Sequence, residues 1–382
     1  MAVFRKETWQ MSGKAKHALG NLLAAADIEI NGGRPWDFQV HDEILYGRVL
    51  SGGSLALGEA YMDGWWDTGS LSQFFEHIFN ARLDEQFQHS PAMLLLELKC
   101  RIFNRQSRSR AHIIGDRHYD AGNDLFTRML DPQMVYSCGY WRDAETLEQA
   151  QTAKLDLTCR KLGLKPGMKL LDIGCGWGSL VKYAAENYGV KALGITVSTE
   201  QAKLGRERCE GLPVEIRLED YRSIRGQFDR IASIGMIEHV GKKNYRSFMR
   251  VASQSLCPGG LFLLQTIGSL KSQHSSDPWI DKYIFPNSML PSISQLSRAA
   301  EPQWIIEDLH NFGPDYDLTL MAWHANFVRA WPELTKHYDQ RFFRMWTYYL
   351  MQFAASFRSN RNQLWQIVLA KRPRAQPYLA TR

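Results

Sequence analysis

Leu170-Leu171-Asp172-Ile173-Gly174-Cys175-Gly176-Trp177-Gly178 decides the architecture of this chain. An apolar strand, Lys169 to Ile173, runs into a G-x-G-x-G turn, and helical apolar spacing from Ser179 to Asn187 begins directly behind it. Strand, glycine turn and helix open an α/β sheet whose ligands sit at the carboxyl ends of the strands, where glycines let the backbone approach them. Working outward, further strands are expected at Val190 to Thr196, Phe228 to Ile234, Leu261 to Thr266 and Leu364 to Leu369, with helices at Thr199 to Cys209 and Asp339 to Phe357. Cys257-Pro258-Gly259-Gly260 reads as the turn that introduces the strand at Leu261. Strands alternating with helices predict a largely parallel sheet with crossovers.

Upstream the pattern differs. Lys14 to Ile28 has helical spacing, stopped by Gly32-Gly33-Arg34-Pro35, and Gly52 to Asp67 is dense in glycine and aromatic residues, as where backbone or a flat ligand packs close. A helix begins near Pro91, and the Arg/Ser-rich stretch Asn104 to Arg110 reads as a linker. The expected division is an N-terminal mixed α/β domain, 1–104, a linker, 105–115, and an α/β-sheet domain, 116–382.

With 382 residues, 45% hydrophobic, 29 Gly and 14 Pro, the composition is globular and excludes disorder and fibre. The longest aliphatic runs, Met93 to Leu96 and Leu261 to Leu264, fall far below the roughly 18 residues of a membrane span, and the N-terminus lacks the apolar core of a secretory signal. A cytoplasmic protein is expected. Cys100, Cys138, Cys159, Cys175, Cys209 and Cys257 stand singly, without metal-site or redox-pair spacing, so neither a metal nor a disulfide is expected. A net charge of +6 carries no argument for nucleic acid. Lys99, Arg101, Arg105, Arg108 and Arg110 crowd one segment; they suit either an anionic membrane surface or a solvated face and linker. The 12 Trp suit a core, an apolar pocket or a membrane interface.

Asp172 ahead of the first glycine, the G-x-G-x-G spacing and the Pro166-Gly167 turn before the strand together resemble the first motif of class I S-adenosylmethionine-dependent methyltransferases. A nicotinamide site or a purely structural turn are the other readings of the glycines alone. Four further segments, with Gly194-Ile195-Thr196-Val197-Ser198-Thr199-Glu200-Gln201, resemble the cyclopropane fatty acid synthase family. They are Tyr136-Ser137-Cys138-Gly139-Tyr140-Trp141, Gly235-Met236-Ile237-Glu238-His239-Val240-Gly241, Thr266-Ile267-Gly268 and Asp315-Tyr316-Asp317. The likeness covers nearly the whole chain, and Gly64-Trp65-Trp66 matches the bacterial phospholipid enzymes rather than their shorter mycolic-acid relatives.

That resemblance implies a Rossmann-like sheet with a helical cover over the acyl chain. It implies transfer of the S-adenosylmethionine methyl to a cis double bond of an unsaturated phospholipid, leaving S-adenosylhomocysteine; proton loss from the resulting carbocation closes a cyclopropane. An alkene is a poor nucleophile and a carbocation is short-lived, so the site must exclude water and offer aromatic faces. Carried over residue by residue, the cofactor positions are Tyr136, Ser137, Asp172, Gly174, Gly176 and Gly178, with Thr196 and Gln201 near ribose in place of the usual acid, and Asp220 and Tyr221 near adenine. A bound bicarbonate is the implied base, held by Cys138, Glu238, Gln265, the backbone of Ile267, and Tyr316. Gln265 stands where the family has His; its amide donates N–H to an anion but carries no proton. His239 is assigned to structure; Cys138 as a small buried hydrophobe, Tyr316 as packing, and Asp220-Tyr221 as a turn are the alternatives. The resemblance also implies peripheral association with the inner face of the cell membrane and is compatible with a homodimer. The rival readings are an acyl-chain methyltransferase that closes no ring and a non-catalytic lipid-binding relative.

Overall fold

A computed structural model describes residues 2–87, 123–273, 275–301, 303–371 and 377–382, with side chains from Gly13 onward except at Gln86 and Phe87. The expected helix near Pro91, the linker 105–115 and the basic cluster Lys99 to Arg110 lie outside the described residues. The N-terminal part comprises α1 (Ala2–Ala24), β1 (Gln39–Val40), α2 (Leu45–Met62), β2 (Trp66–Asp67), α3 (Leu71–Asn80) and α4 (Leu83–Phe87). Its strands pair as a two-residue antiparallel ribbon, Gln39 with Asp67 and Val40 with Trp66. Helices α5 (Asn123–Met129) and α6 (Leu147–Leu162) lead into the sheet.

The glycine-motif strand is β3 (Lys169–Ile173), followed by α7 (Ser179–Tyr188), β4 (Lys191–Thr196), α8 (Thr199–Arg208), β5 (Val214–Leu218) and β6 (Phe228–Ile234). After α9 (Tyr245–Ser255) comes β7 (Leu256–Ser269), then α10 (Pro278–Tyr283), α11 (Ile293–Ala300), β8 (Ile305–Asn311), α12 (Pro314–Leu334), α13 (Gln340–Arg358) and β9 (Asn362–Ala370). Seven of the strands form one sheet in the order β5-β4-β3-β6-β7-β9-β8. Strands β3 to β7 pair in parallel, and β9 enters antiparallel between β7 and β8. This is the largely parallel α/β sheet that the alternation of strands and helices predicts, with one antiparallel strand, β9, inserted near its edge.

Two details depart from the sequence reading. Cys257 to Gly260 is no turn ahead of a strand but an irregularity inside β7: its register with β6 jumps from Phe228↔Leu256 to Arg230↔Leu261. The edge strands β5 and β8, which the sequence reading did not place, are buried on so few residues that they carry no apolar run to read.

Side chains alternate across the strands, so Leu171, Ile173, Phe262 and Leu264 join one buried layer while Leu170, Ala232 and Leu263 join the other. A third cluster is shared between the N-terminal part and the helical cover, with Trp66, Phe74, Trp279, Trp323 and Tyr348 buried together. Truncating one such Trp typically costs about 3–5 kcal/mol. At the rim of that contact the N-terminal part supplies the acids and the cover supplies the bases: Glu59–Lys282 at 2.6 Å, Asp63–Arg341 at 3.0 Å, Asp67–Arg344 at 2.8 Å and Asp84–Arg361 at 2.7 Å.

Candidate active site

Parallel strands bring their carboxyl ends to one side, and a cavity of about 180 Å³ opens there. Asp172, at the end of β3, lies in register between Gly194 of β4 and Ala232 of β6. The turn after it needs glycine because Gly174, Gly176 and Gly178 have φ of +87°, +55° and +82°. A Cβ at Gly174 would also stand 2.8 Å from Met236. The amides of Gly174 and Cys175 donate to the Ile195 carbonyl at 3.0 and 2.9 Å, which ties the turn to β4.

Beside the turn, Thr196 Oγ1 donates to Gln201 Oε1 at 2.8 Å, both side chains buried. The Gln201 oxygen is thereby occupied, which leaves its N–H2 end as the donor available on the cavity wall. Asp220 caps a short turn by accepting the Arg222 amide at 2.9 Å and pairs with the Arg222 guanidinium at 2.9 Å; Tyr221 lies under it against Phe248. Asp220 thus makes the turn contacts of the structural alternative while also lining the cavity with Tyr221.

A second cavity, about 520 Å³, extends between the sheet and the N-terminal part. Phe38, Phe74, Phe75, Phe79, Tyr348, Tyr349 and Phe353 give it aromatic walls. The two cavities share Tyr136, Ser137, Gly235 and His239. Tyr136 is held at this junction by the Tyr349 hydroxyl, 3.0 Å from its own.

Around the junction the structure gathers Glu238, Gln265, Ile267 and Tyr316 on the wall of the larger cavity. Glu238 sits in a single 3-10 turn, Ile237–His239, after β6. Its Oε1 accepts the Ile267 amide at 2.8 Å, and its Oε2, buried, accepts no hydrogen bond. The amide expected to meet an anion is therefore directed at Glu238. Burial pushes the Glu238 carboxyl up to about 7, against the opposing pull of the Ile267 amide. Gln265 lies opposite Gln366 on β9, whose Nε2 donates to Gln265 Oε1 at 2.9 Å, so the N–H2 end of Gln265 is the one left for the cavity.

The acids flanking Tyr316 explain its placement. Asp315 accepts the Trp141 amide at 2.7 Å and Asp317 pairs with Arg358 at 2.8 Å, which fixes the first turn of α12 from two sides; between them Tyr316 stacks on Phe357 with centroids 4.6 Å apart. Cys138 is fully buried, its thiol donating to the Gly139 carbonyl at 3.0 Å, and it lines neither cavity. Burial first, then the nearby Asp315 carboxyl, pushes that thiol up.

Two further residues line these cavities. His239, assigned to structure, lines both cavities, and burial lowers its imidazole to about 4, so it is neutral. Lys154, in the middle of α6, lines the smaller cavity with its Nζ 3.0 Å from Ser137 Oγ. A lysine in a helix is ordinarily solvated, and the one available signal was its place in the buried stripe with Gln151, Leu155 and Thr158. Among the described residues no cluster of His, Cys, Asp and Glu is arranged to hold a metal.

A profile of the mycolic acid cyclopropane synthetase family matches residues 106–367. The chain belongs to that family. It is 54% identical over 350 residues to the cyclopropane-fatty-acyl-phospholipid synthase of Escherichia coli K12, covering 92% of each chain. It is 36% identical to a probable fatty acid methyltransferase of Pseudomonas putida, over 87% of this chain and 86% of that one. Among solved structures, a cyclopropane synthase from Mycobacterium tuberculosis superposes with a TM-score of 0.65 at 32% identity, covering 68% of this chain and 98% of that one. The mycolic acid cyclopropane synthase CmaA1 complexed with SAH and CTAB gives a TM-score of 0.64, also at 32% identity, with 68% and 98% covered. The family match begins inside the expected linker, and the E. coli enzyme carries the likeness across the N-terminal part as well.

Proposed function

We propose that this chain is a cyclopropane-fatty-acyl-phospholipid synthase, with S-adenosylmethionine in the smaller cavity, the unsaturated acyl chain in the larger one, and bicarbonate at their junction. The observation that carries this reading is the meeting of the two cavities at Tyr136, Ser137, Gly235 and His239, beside the buried Glu238. The residues present fit the cofactor: a backbone cradle at Gly174 to Gly178 and an unpartnered Asp172 Oδ1 face the smaller cavity. S-adenosylmethionine supplies an electrophilic methyl group there.

Aromatic walls do the work of excluding water and presenting electron-rich faces to positive charge; such contact is worth roughly 2 kcal/mol when desolvated. Tyr136 and Tyr349, hydrogen-bonded at the junction, orient the acyl chain across it. The donors and acceptors of the larger cavity fit a small anion with one proton: the Gln265 amide and the Tyr316 phenol donate, and ionised Glu238 accepts through Oε2. Bicarbonate supplies a base at that point. Because burial holds Glu238 at about 7, its carboxyl exchanges its proton near neutral pH and resets the anion between turnovers.

The N-terminal part closes the acyl cavity and, in this reading, is the lipid-side unit. The basic cluster Lys99 to Arg110, outside the described residues, docks the protein peripherally on the inner face of the cell membrane. Among the described residues no helix is long and apolar enough to cross a membrane. The test is incubation with liposomes of unsaturated phospholipid and methyl-labelled S-adenosylmethionine, followed by proton NMR of the released fatty acids. Cyclopropane methylene resonances carrying the label support the reading. Labelled branched chains without a ring would replace it by an acyl-chain methyltransferase, and unlabelled lipid would remove the activity.

A further inference from the structure

The larger cavity has two ends of opposite character. Tyr136, Glu238 and Gln265 mark the reacting end; at the other, Asp84, Glu85, Lys271 and Arg361 stand on its wall, paired as Lys271–Glu85 at 2.9 Å and Arg361–Asp84 at 2.7 Å. Lys271 and Ser272 are exposed, so the cavity opens to solvent beside them. The separation of the two ends follows from the elements that span them. Tyr349 and Ser356 both line the cavity from α13, and the seven-residue step between them rises about 10 Å. On β7 the step from Gln265 to Ser269, which pairs with Asn362 on the cavity wall, advances about 13 Å. An extended chain advances roughly 1.2 Å per bond, so about eight to eleven bonds fill that span.

Outside this mouth the surface turns apolar. Leu270 and Ile293 are 61% and 39% exposed. Their segments run side by side, because the Ser269 amide donates to the Pro291 carbonyl at 2.8 Å and the Ser272 and Ser292 hydroxyls lie 2.7 Å apart. A single exposed aliphatic is ordinary, but two adjoining ones at the rim of an apolar cavity mark a contact with something apolar. We propose that Leu270 and Ile293 form a lip that enters the interface of a phospholipid bilayer and holds the cavity mouth at the level of the lipid esters. The span of the cavity selects this occupant. With the ester at the mouth, a double bond near the middle of the acyl chain lies beside Glu238, so the mouth meets a lipid whose glycerol end stays at the bilayer surface. Lys271 directly follows Leu270 and stands at that same level. Its pair with Glu85 is exposed, and such pairs are weak, so the ammonium exchanges from the carboxylate to a lipid phosphate.

The lip rests on the acyl-cavity reading above, and two presentations of the substrate separate the two ideas. One is liposomes of unsaturated phosphatidylcholine at roughly 0.5 M salt, where attraction between basic segments and the membrane is screened. The other is a monounsaturated lysophospholipid below its micelle concentration, which needs no bilayer contact. Liposome co-sedimentation and turnover are measured for the wild type, for Leu270→Asp/Ile293→Asp and for Val328→Asp, which changes an aliphatic of 43% exposure on α12. The double variant is expected to partition onto liposomes about tenfold more weakly, with a matching rise in the liposome KM. Its kcat and its turnover of the monomeric lipid should stay near wild type, and Val328→Asp should match wild type throughout. Wild-type partition kept by the double variant, an equal loss in Val328→Asp, an equal loss on monomeric lipid, or a wild type that ignores liposomes at high salt would each overturn the lip. A wild-type dimer that becomes monomeric in the double variant with partition unchanged would overturn it in favour of an interface between copies of this chain. Should the wild type form no cyclopropane from either presentation, the function reading falls, while the partition measurement still decides the lip.

Discussion

Glu238→Gln separates what the site does for function from what it costs the fold. The carboxyl is held at about 7, against 4.5 in its ordinary state, chiefly by burial. Between those two values the folded protein keeps the proton that the unfolded chain gives up, so stability falls as pH rises and the whole penalty is present above pH 7. A shift of that size corresponds to about 3 kcal/mol at roughly 1.36 kcal/mol per pH unit. Glutamine keeps an oxygen for the Ile267 amide, now 2.8 Å from Oε1, and cannot ionise. Asp172, raised to about 7 by burial, adds a slope of the same sign, but it is present in both proteins and cancels in the comparison. Urea unfolding at pH 4.5 and pH 8 should therefore show the wild type losing about 3 kcal/mol more than the variant. Turnover of the variant should nevertheless drop about a hundredfold, because the bound anion loses its orienting acceptor. Equal pH dependence of the two proteins, or turnover near wild type, would refute the placement of Glu238 as a buried, titrating member of the site.

Three other predictions follow from the same geometry. Gly174→Ala forces a Cβ 2.8 Å from Met236 at φ +87°, and should lower stability by roughly 1–3 kcal/mol and weaken S-adenosylhomocysteine binding, read by thermal melts with and without ligand. Gln265→His should keep turnover within about tenfold, whereas Gln265→Leu removes the nearer of the Gln366 amide's two acceptors, leaving Thr158 Oγ1 at 3.3 Å, and should cost roughly 1–3 kcal/mol in urea titration. A wild type indifferent to added bicarbonate beside a responsive His variant would point to a different base. Arg344→Met removes the donor shared by the Tyr61 and Trp66 carbonyls and Asp67 and should cost about 2 kcal/mol or more; the check is faster proteolysis of the N-terminal part than of the sheet domain.

Much of this protein was legible in order of how local the cause is. Lys169–Ile173 and Phe228–Ile234 have the bounds read from their apolar runs, because strands buried on both faces need no partner information to be recognised. The G-x-G-x-G turn was legible for a related reason: three positive φ values within five residues admit little besides glycine. Glu238 and Tyr316 could be named from the resemblance through motifs that sit just past a strand end and at a helix start, where a short segment sets the side chain's direction.

What only the tertiary structure decided depends on neighbours distant in sequence. The Gln265 amide takes its orientation from Gln366, a partner 101 residues away. Cys138 was named with the anion site, yet its thiol is turned to the Gly139 carbonyl because α12 packs Thr319 against it. Lys154 looks like any helical lysine until α6 is pressed against the sheet and its ammonium is stranded beside the cofactor cavity. Local sequence sets backbone conformation through sterics that act over a few residues, whereas the charge state and aim of a buried polar group are set by desolvation and by whichever partners folding brings within about 3 Å.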